Sequence, residues 1–346
     1  ALNVSATNFD GADTFIGTGN ADTINGGGGD DTITGGGGAD SINAGTGVDT
    51  LKFTREQLAG VTTVVGGDGT DILLLTAATT DLVDADFSKF SGVETLQLAN
   101  GANTITLGAT AYGAGIRTIV LGNDSTSITL NDGVSMTIDA SALPDDKTLT
   151  IAGNGSYTIT GLVADLVSTA DGGNVSVTTG DASTINIDLG SGTAGTREVN
   201  ATAMTDGDVL TLTGSDAVTV SSIDADINAA GYAGAITATV TNAAAATFEI
   251  GTAAAEITAK GTAALTIDAD AAAGTAGALT IKGDAAGDVL VTGAESTVTL
   301  DDTFSGSGLV KVTTADVATL TVSLGTSLTG TREVNATAMT DGDVLT

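Results

Sequence analysis

Aspartates recur at a fixed interval near the start of this chain. Cut into nines, residues 8–52 read NFDGADTFI, GTGNADTIN, GGGGDDTIT, GGGGADSIN and AGTGVDTLK. The sixth place always holds Asp13, Asp22, Asp31, Asp40 or Asp49, and the eighth is always apolar, Phe15, Ile24, Ile33, Ile42 and Leu51. Glycines at the first, second and fourth places permit positive φ and a tight turn that leaves carbonyl oxygens open to a cation. The aspartate adds charge and a hard oxygen. The chemistry on offer is therefore capture of a hard divalent cation. A flexible glycine-rich linker would not keep an apolar residue at every eighth place.

Such turns need elements to hold them. Places seven to nine form a three-residue strand whose eighth side chain points inward, giving an apolar ladder behind the turns. A further copy, GGDGTDILL, stands at residues 66–74 with Asp71 at its sixth place, 22 residues after Asp49. Between the copies Thr54-Arg55-Glu56-Gln57 reads as a capping box and predicts a short helix over residues 54–60. From about residue 93 the pattern becomes short period-2 strands, among them 127–130, 135–138, 148–151, 157–160, 174–177, 185–189, 209–212, 217–220, 279–281 and 319–322. Gly, Asn, Asp or Ser bounds each one. Sandwich, barrel and solenoid all stay open from this spacing alone. The Ala-rich pieces at residues 243–246 and 269–273 are too short for helices and read as narrow rungs or loops.

A longer repeat overlies the strands. Residues 195–211, GTREVNATAMTDGDVLT, return unchanged at residues 330–346, an offset of 330 − 195 = 135. The second copy stops inside what was a strand in the first, which predicts that residue 346 cuts through a longer tandem array. The expected organisation is a cation-binding region over residues 1–74, a β-solenoid region over 75–194, and a continuing solenoid over 195–346 with the repeat restarting near 330.

Composition narrows the functions. Acidic residues number 42 against 10 basic, a formal charge of −32, which opposes binding to nucleic acid or anionic headgroups. So much negative charge asks for neutralising cations. The chain has no Cys and no His, which removes disulfides, thiol nucleophiles, imidazole bases and the usual zinc ligands. Carboxylates remain, but they lie mostly in Gly-flanked turns without apolar neighbours to raise a pKa, so no enzymatic activity is expected here. No run approaches the roughly 18 apolar residues of a membrane span, and no leader opens the chain; neither membrane insertion nor a signal peptide is expected. With aromatics at 3% and 49 glycines, the core must be small and aliphatic, which suits thin stacked rungs.

The block GGxGxDxUx over residues 8–74 resembles the repeat-in-toxin (RTX) repeats of type I secreted proteins. In that family two nonapeptides complete one coil, so equivalent ligands recur every 18 residues. Asp13, Asp31 and Asp49 would share one edge, and Asp22 and Asp40 the other. The resemblance implies several calcium ions held between successive coils by these aspartates and by second- and fourth-place carbonyls. Those places are Gly27 and Gly29, Gly36 and Gly38, Gly45 and Gly47, and, in the second block, Thr18 and Asn20, where departure from glycine disturbs the turn. Asp71, with Gly67 and Gly69, fits the motif but falls off the 18-residue register. FSKFSGVETLQL at residues 87–98 and MTIDASAL at 136–143 resemble segments of surface-layer proteins and giant adhesins of the same class. The echoes at Asp206 and Asp208, Asp284 and Asp288, and Asp341 and Asp343 read as solvated turns.

The resulting expectation is an all-β chain: a parallel β-solenoid or β-helix of elongated repeat architecture that opens on an RTX β-roll. Its expected role is a calcium-dependent, secreted structural protein of the bacterial cell surface, an S-layer or extracellular filament subunit that self-associates into a lattice or filament. Cell-surface polysaccharide is a further expected partner. The alternatives are the stalk of a giant adhesin and the non-catalytic module of a secreted enzyme.

Overall fold

The computed structural model describes residues 3–5, 10–191, 195–270, 277–301, 304–305, 307–316, 319–324, 330–340 and 343–346. The chain divides into two compact units, Ala1–Thr160 and Gly161–Thr346. In each, short strands pair in parallel with the strand one coil away, which decides between the three architectures left open by strand spacing: this is a β-solenoid.

In the first unit one sheet stacks Thr14–Ile16, Thr32–Thr34, Thr50–Phe53, Ile72–Leu75, Thr95–Gln97, Thr118–Val120 and Ser135–Asp139. The opposite sheet stacks Asn3–Ser5, Thr23–Gly28, Ser41–Thr46, Thr63–Asp68 and Phe90–Ser91. The eighth-place residues therefore form two facing ladders. Phe15, Ile33, Leu51 and Leu73 point in from one sheet; Ile24, Ile42 and Val64 point in from the other. All are buried. Each such side chain contributes about 1.5–3 kcal/mol by leaving water, so the ladder, repeated every coil, supplies the driving force for stacking.

Coil length is not constant. The first register steps are 18 residues, followed by 22 and then 23. The expected helix forms over Arg55–Leu58, with its capping box in place and Thr54 N–H donating to Gln57 Oε1 at 2.7 Å. It stands where a sixth nonapeptide turn would have been. A second short helix, Ala109–Ala114, lies on Asp84, whose Oδ1 accepts the N–H of Gly108 at 2.7 Å and of Ala111 at 2.8 Å.

In the second unit the same construction recurs. One sheet runs through Val175–Thr179, Arg197–Asn200, Val218–Ile223, Ile236–Val240, Ala255–Ala259 and Leu279–Gly283. The other includes Thr184–Asp188, Val209–Thr213, Ala246–Glu249, Leu265–Asp268, Val289–Ala294, Val310–Thr314 and Arg332–Asn335. Of the Ala-rich piece at 243–246, residues 243–245 lie in a loop and Ala246 opens a strand; residues 271–273 of the other piece lie outside the described residues.

The two copies of the long repeat occupy opposite sheets. Arg197–Asn200 pairs with Val175–Thr179, whereas the identical Arg332–Asn335 pairs with Val310–Thr314. The 135-residue offset thus spans an odd number of half-coils. In the first copy Arg197 is fully buried, 3.0 Å from Asp216 on the next coil, and donates to the carbonyl of Gly173 at 2.6 Å. Tyr232, one coil further, donates its hydroxyl to the Asp216 carbonyl at 2.6 Å. Spacing arguments did not single out this polar staple, because a lone Arg in a strand carries no motif.

Candidate metal centre

Each nonapeptide turn stacks on the equivalent turn one coil away. Asp13 donates its N–H to Asp31 Oδ1 at 2.8 Å, Asp31 to Asp49 Oδ1 at 2.8 Å, and Asp49 to Asp71 Oδ1 at 2.8 Å. On the other edge Asp22 donates to Asp40 Oδ1 at 2.9 Å. One carboxylate oxygen of each later aspartate is therefore committed to the backbone of the coil before it. The edges separate as expected, with Asp13, Asp31 and Asp49 on one and Asp22 and Asp40 on the other. Asp71 joins the first column: the extra residues of its longer coil are taken up around the Arg55–Leu58 helix on the opposite edge.

The remaining oxygens are the notable ones. Asp31, Asp40, Asp49 and Asp71 are buried to 1% exposure or less, and the Oδ2 of each has no hydrogen-bond partner. Burial raises the pKa of all four, and the neighbouring aspartate charges add to it; Asp71, flanked by Asp49 and Glu94, is pushed up to about 6. An unpartnered buried carboxylate costs several kcal/mol unless a proton or a cation neutralises it.

The glycines shape a cradle around these oxygens. Gly27, Gly29, Gly36, Gly38, Gly45, Gly47, Gly67 and Gly69 all have positive φ, between 85° and 143°. They stack in columns: a Cβ on Gly45 would lie 2.0 Å from the carbonyl oxygen of Gly27, and one on Gly69 1.8 Å from that of Gly47. At the first place, a Cβ on Gly26 would meet Asp31 Oδ2 at 2.5 Å and the Ala44 carbonyl oxygen at 2.3 Å. At Gly26 and Gly66, carboxylate and carbonyl oxygens thus converge on space that a Cβ would fill, while the fifth block has Ala44 at this place. Hard, all-oxygen donors of this kind suit calcium. Among the described residues no three acidic side chains are placed to share one metal ion, so a site here would draw on backbone oxygens as well.

The second block differs. Thr18 and Asn20 are absent from the positive-φ residues, and among the described non-glycines only Asp132 and Ser222 have positive φ. Thr18 N–H donates to Asp22 Oδ2 at 2.5 Å and its hydroxyl to both carboxylate oxygens at 3.0 Å. A side chain here occupies the carboxylate that glycine leaves bare elsewhere. Above Asp40 the column closes: Thr62 takes the next aspartate place, and the Phe53 ring lies over Gly35.

The echoes at Asp208 and Asp343 behave as turns, whereas Asp288 bonds across coils to Leu309. Asp208 Oδ2 accepts the N–H of Thr205 at 2.7 Å, and Asp343 Oδ2 that of Thr340 at 2.7 Å; Asp288 Oδ1 accepts Leu309 N–H at 2.9 Å. Asp206 and Asp284 are exposed, and Asp341 lies outside the described residues. A cleft of about 630 Å³ in the second unit is lined by Ser168, Asp188 and Ser215 together with Ala170, Gly190 and Gly214. Among the described residues no helix is long and apolar enough to cross a membrane.

The model of the RTX calcium-binding nonapeptide repeat, four copies long, matches residues 9–42 and 16–51. The start of the chain therefore carries calcium-binding repeats of the RTX type. No curated protein and no solved structure matches the chain.

Proposed function

We propose that this chain is a calcium-dependent, secreted structural protein of a bacterial cell surface, an S-layer or filament subunit that folds and assembles when calcium binds. The observation that carries the reading is the set of four buried, unpartnered carboxylate oxygens on Asp31, Asp40, Asp49 and Asp71, with first-place glycines beside those of Asp31, Asp40 and Asp71. In this reading calcium lies between successive coils, held by Asp13, Asp31, Asp49 and Asp71 on one edge and by Asp22 and Asp40 on the other. The carbonyls of Gly27, Gly29, Gly36, Gly38, Gly45, Gly47, Gly67 and Gly69 complete the sites, with Thr18 and Asn20 as weaker contributors.

Calcium then acts as a folding ligand. It neutralises charge that a chain of −32 would otherwise hold at close quarters, and its binding energy becomes folding energy. Extracellular sites of this kind bind at about 10⁻⁴–10⁻³ M, which suits export in an unfolded state and folding outside the cell. The proposed role is architectural, not catalytic. Self-association into a lattice or filament is supported by serial repeats and parallel coils, and binding of cell-surface polysaccharide by the hydroxyl- and carboxylate-lined cleft at Ser168, Asp188 and Ser215. The second reading, an adhesin stalk, draws on the unchanged copy of residues 195–211 at 330–346.

Circular dichroism and particle size, followed through calcium addition and chelation, test the proposal. Calcium-triggered β-structure with assembly into sheets or filaments supports it, and a calcium-folded monomer favours the stalk. A chain indifferent to calcium ends both readings.

A further inference from the structure

The first-edge column does not stop with the last nonapeptide. Parallel register places Glu94 against Asp71, just as Asp71 lies against Asp49. Asp71 N–H donates to Glu94 Oε2 at 2.9 Å, the bond that every earlier rung makes to an aspartate Oδ1. The first-place column continues as well, through Gly26, Ala44, Gly66 and Gly92. A Cβ on Gly66 would lie 1.8 Å from the Gly92 carbonyl oxygen and 2.5 Å from Asp71 Oδ2. That Oδ2 is fully buried and has no hydrogen-bond partner, so a charged oxygen is aimed into the same cradle as the Gly92 carbonyl.

The residues explain why a glutamate stands here. Gly92-Val93-Glu94-Thr95-Leu96 repeats Gly47-Val48-Asp49-Thr50-Leu51 with one added methylene. In a full nonapeptide the first and sixth places are five residues apart, as in Gly66 and Asp71, but Gly92 and Glu94 are only two apart. Despite the shorter turn, the Glu94 side chain reaches the Asp71 N–H at 2.9 Å. One coil further the column position belongs to Arg117, whose guanidinium lies 3.4 Å over the Tyr112 ring and donates to the Tyr112 carbonyl at 2.6 Å. A fixed positive charge there opposes another cation.

We infer that the coil containing Gly92 and Glu94 completes one more hard-cation site on this edge, beyond the residues that carry the nonapeptide motif. Its ligands are the Asp71 and Glu94 carboxylates and the Gly92 carbonyl, its ion is calcium, and Arg117 terminates the series. The inference rests on the calcium reading above.

The test is the number of calcium ions bound per full chain, by equilibrium dialysis, in wild type and Glu94→Gln. The substitution keeps an oxygen for the Asp71 N–H but removes the charge. One ion fewer in E94Q, with β-structure intact by circular dichroism, is the expected result; an unchanged count and affinity overturns the inference while leaving the calcium reading standing. A wild type that binds no calcium overturns the reading itself. Should E94Q fail to fold, hydrogen exchange on the wild type decides: calcium must protect the amides of residues 88–97 together with those of 66–75. Absence of protection over 88–97 also overturns the inference.

Discussion

Asp49 donates its backbone N–H to Asp71 Oδ1 at 2.8 Å, although the two are 22 residues apart and every earlier rung is 18. The column of carboxylates is continuous in space where the sequence repeat is interrupted. The helix at Arg55–Leu58 takes up the difference on the far edge, so the ladder and its buried charges pass through the interruption unchanged.

Removing one of those charges separates calcium affinity from intrinsic stability. Asp49→Asn keeps an oxygen for the Asp31 N–H and deletes a buried negative charge. The calcium concentration at half-folding should rise about tenfold or more, equivalent to about 1.4 kcal/mol, while the calcium-free form becomes no less stable. Calcium titrations of wild type and D49N, followed by circular dichroism, check this; equal midpoints would contradict the placement of a cation at Asp49.

The pH dependence should change sign with calcium. Burial raises the folded pKa of Asp71 to about 6, and those of Asp31, Asp40 and Asp49 also rise. A carboxyl whose folded pKa exceeds its unfolded value stabilises the fold when protonated, and that stability is lost as pH rises through the folded pKa. Without calcium the first unit should therefore be more stable at pH 5 than at pH 7.5. With millimolar calcium the order reverses, because protons then compete with the ion. Denaturant melts at both pH values, with and without calcium, supply the four numbers.

Two glycine substitutions should move stability in opposite directions. Gly67 has φ +124°, and a Cβ there would fall 1.8 Å from the Gly45 carbonyl oxygen, so Gly67→Ala should cost more than about 2 kcal/mol in calcium. Gly113 lies inside the Ala109–Ala114 helix with nothing within 4 Å of an added Cβ, and Gly113→Ala should gain up to about 1 kcal/mol. Denaturant midpoints compare the two.

The staple in the second unit is a coupled pair. Arg197→Met strands Asp216 and should destabilise the fold by about 3–5 kcal/mol. Asp216→Asn in the same background should restore part of that loss, since it removes the uncompensated charge. A double-mutant cycle by denaturant unfolding reads the coupling, and strictly additive effects would show that the 3.0 Å contact carries no energy.

Much of the metal-binding region was legible in the sequence. An aspartate and an apolar residue at fixed places in five consecutive blocks leave little freedom, because a strand two or three residues long can turn only one of its side chains inward. Glycines in a strict pattern likewise announce positive φ. The all-β character of residues 93–346 was also evident from period-2 strands and frequent turns, although three architectures satisfied that pattern equally.

What only the tertiary structure decided is which residues stack. Register in a solenoid is set by side-chain ladders and backbone pairing across coils, so an insertion on one edge leaves the other edge aligned; this is why Asp71 sits on Asp49 despite its 22-residue spacing, and why Glu94 sits on Asp71. The matching GVDTL and GVETL segments held a signal for Glu94, but no fixed period connects them. Nor could identity at 135 residues show that the two copies face opposite sheets, since that depends on how many half-coils the intervening chain makes. The sequence by itself determined the local chemistry, aspartate and glycine in turns and aliphatics behind them, because those preferences act within a few residues. Pairing across coils decided which charges are buried together, because it acts between residues that spacing alone cannot bring into line.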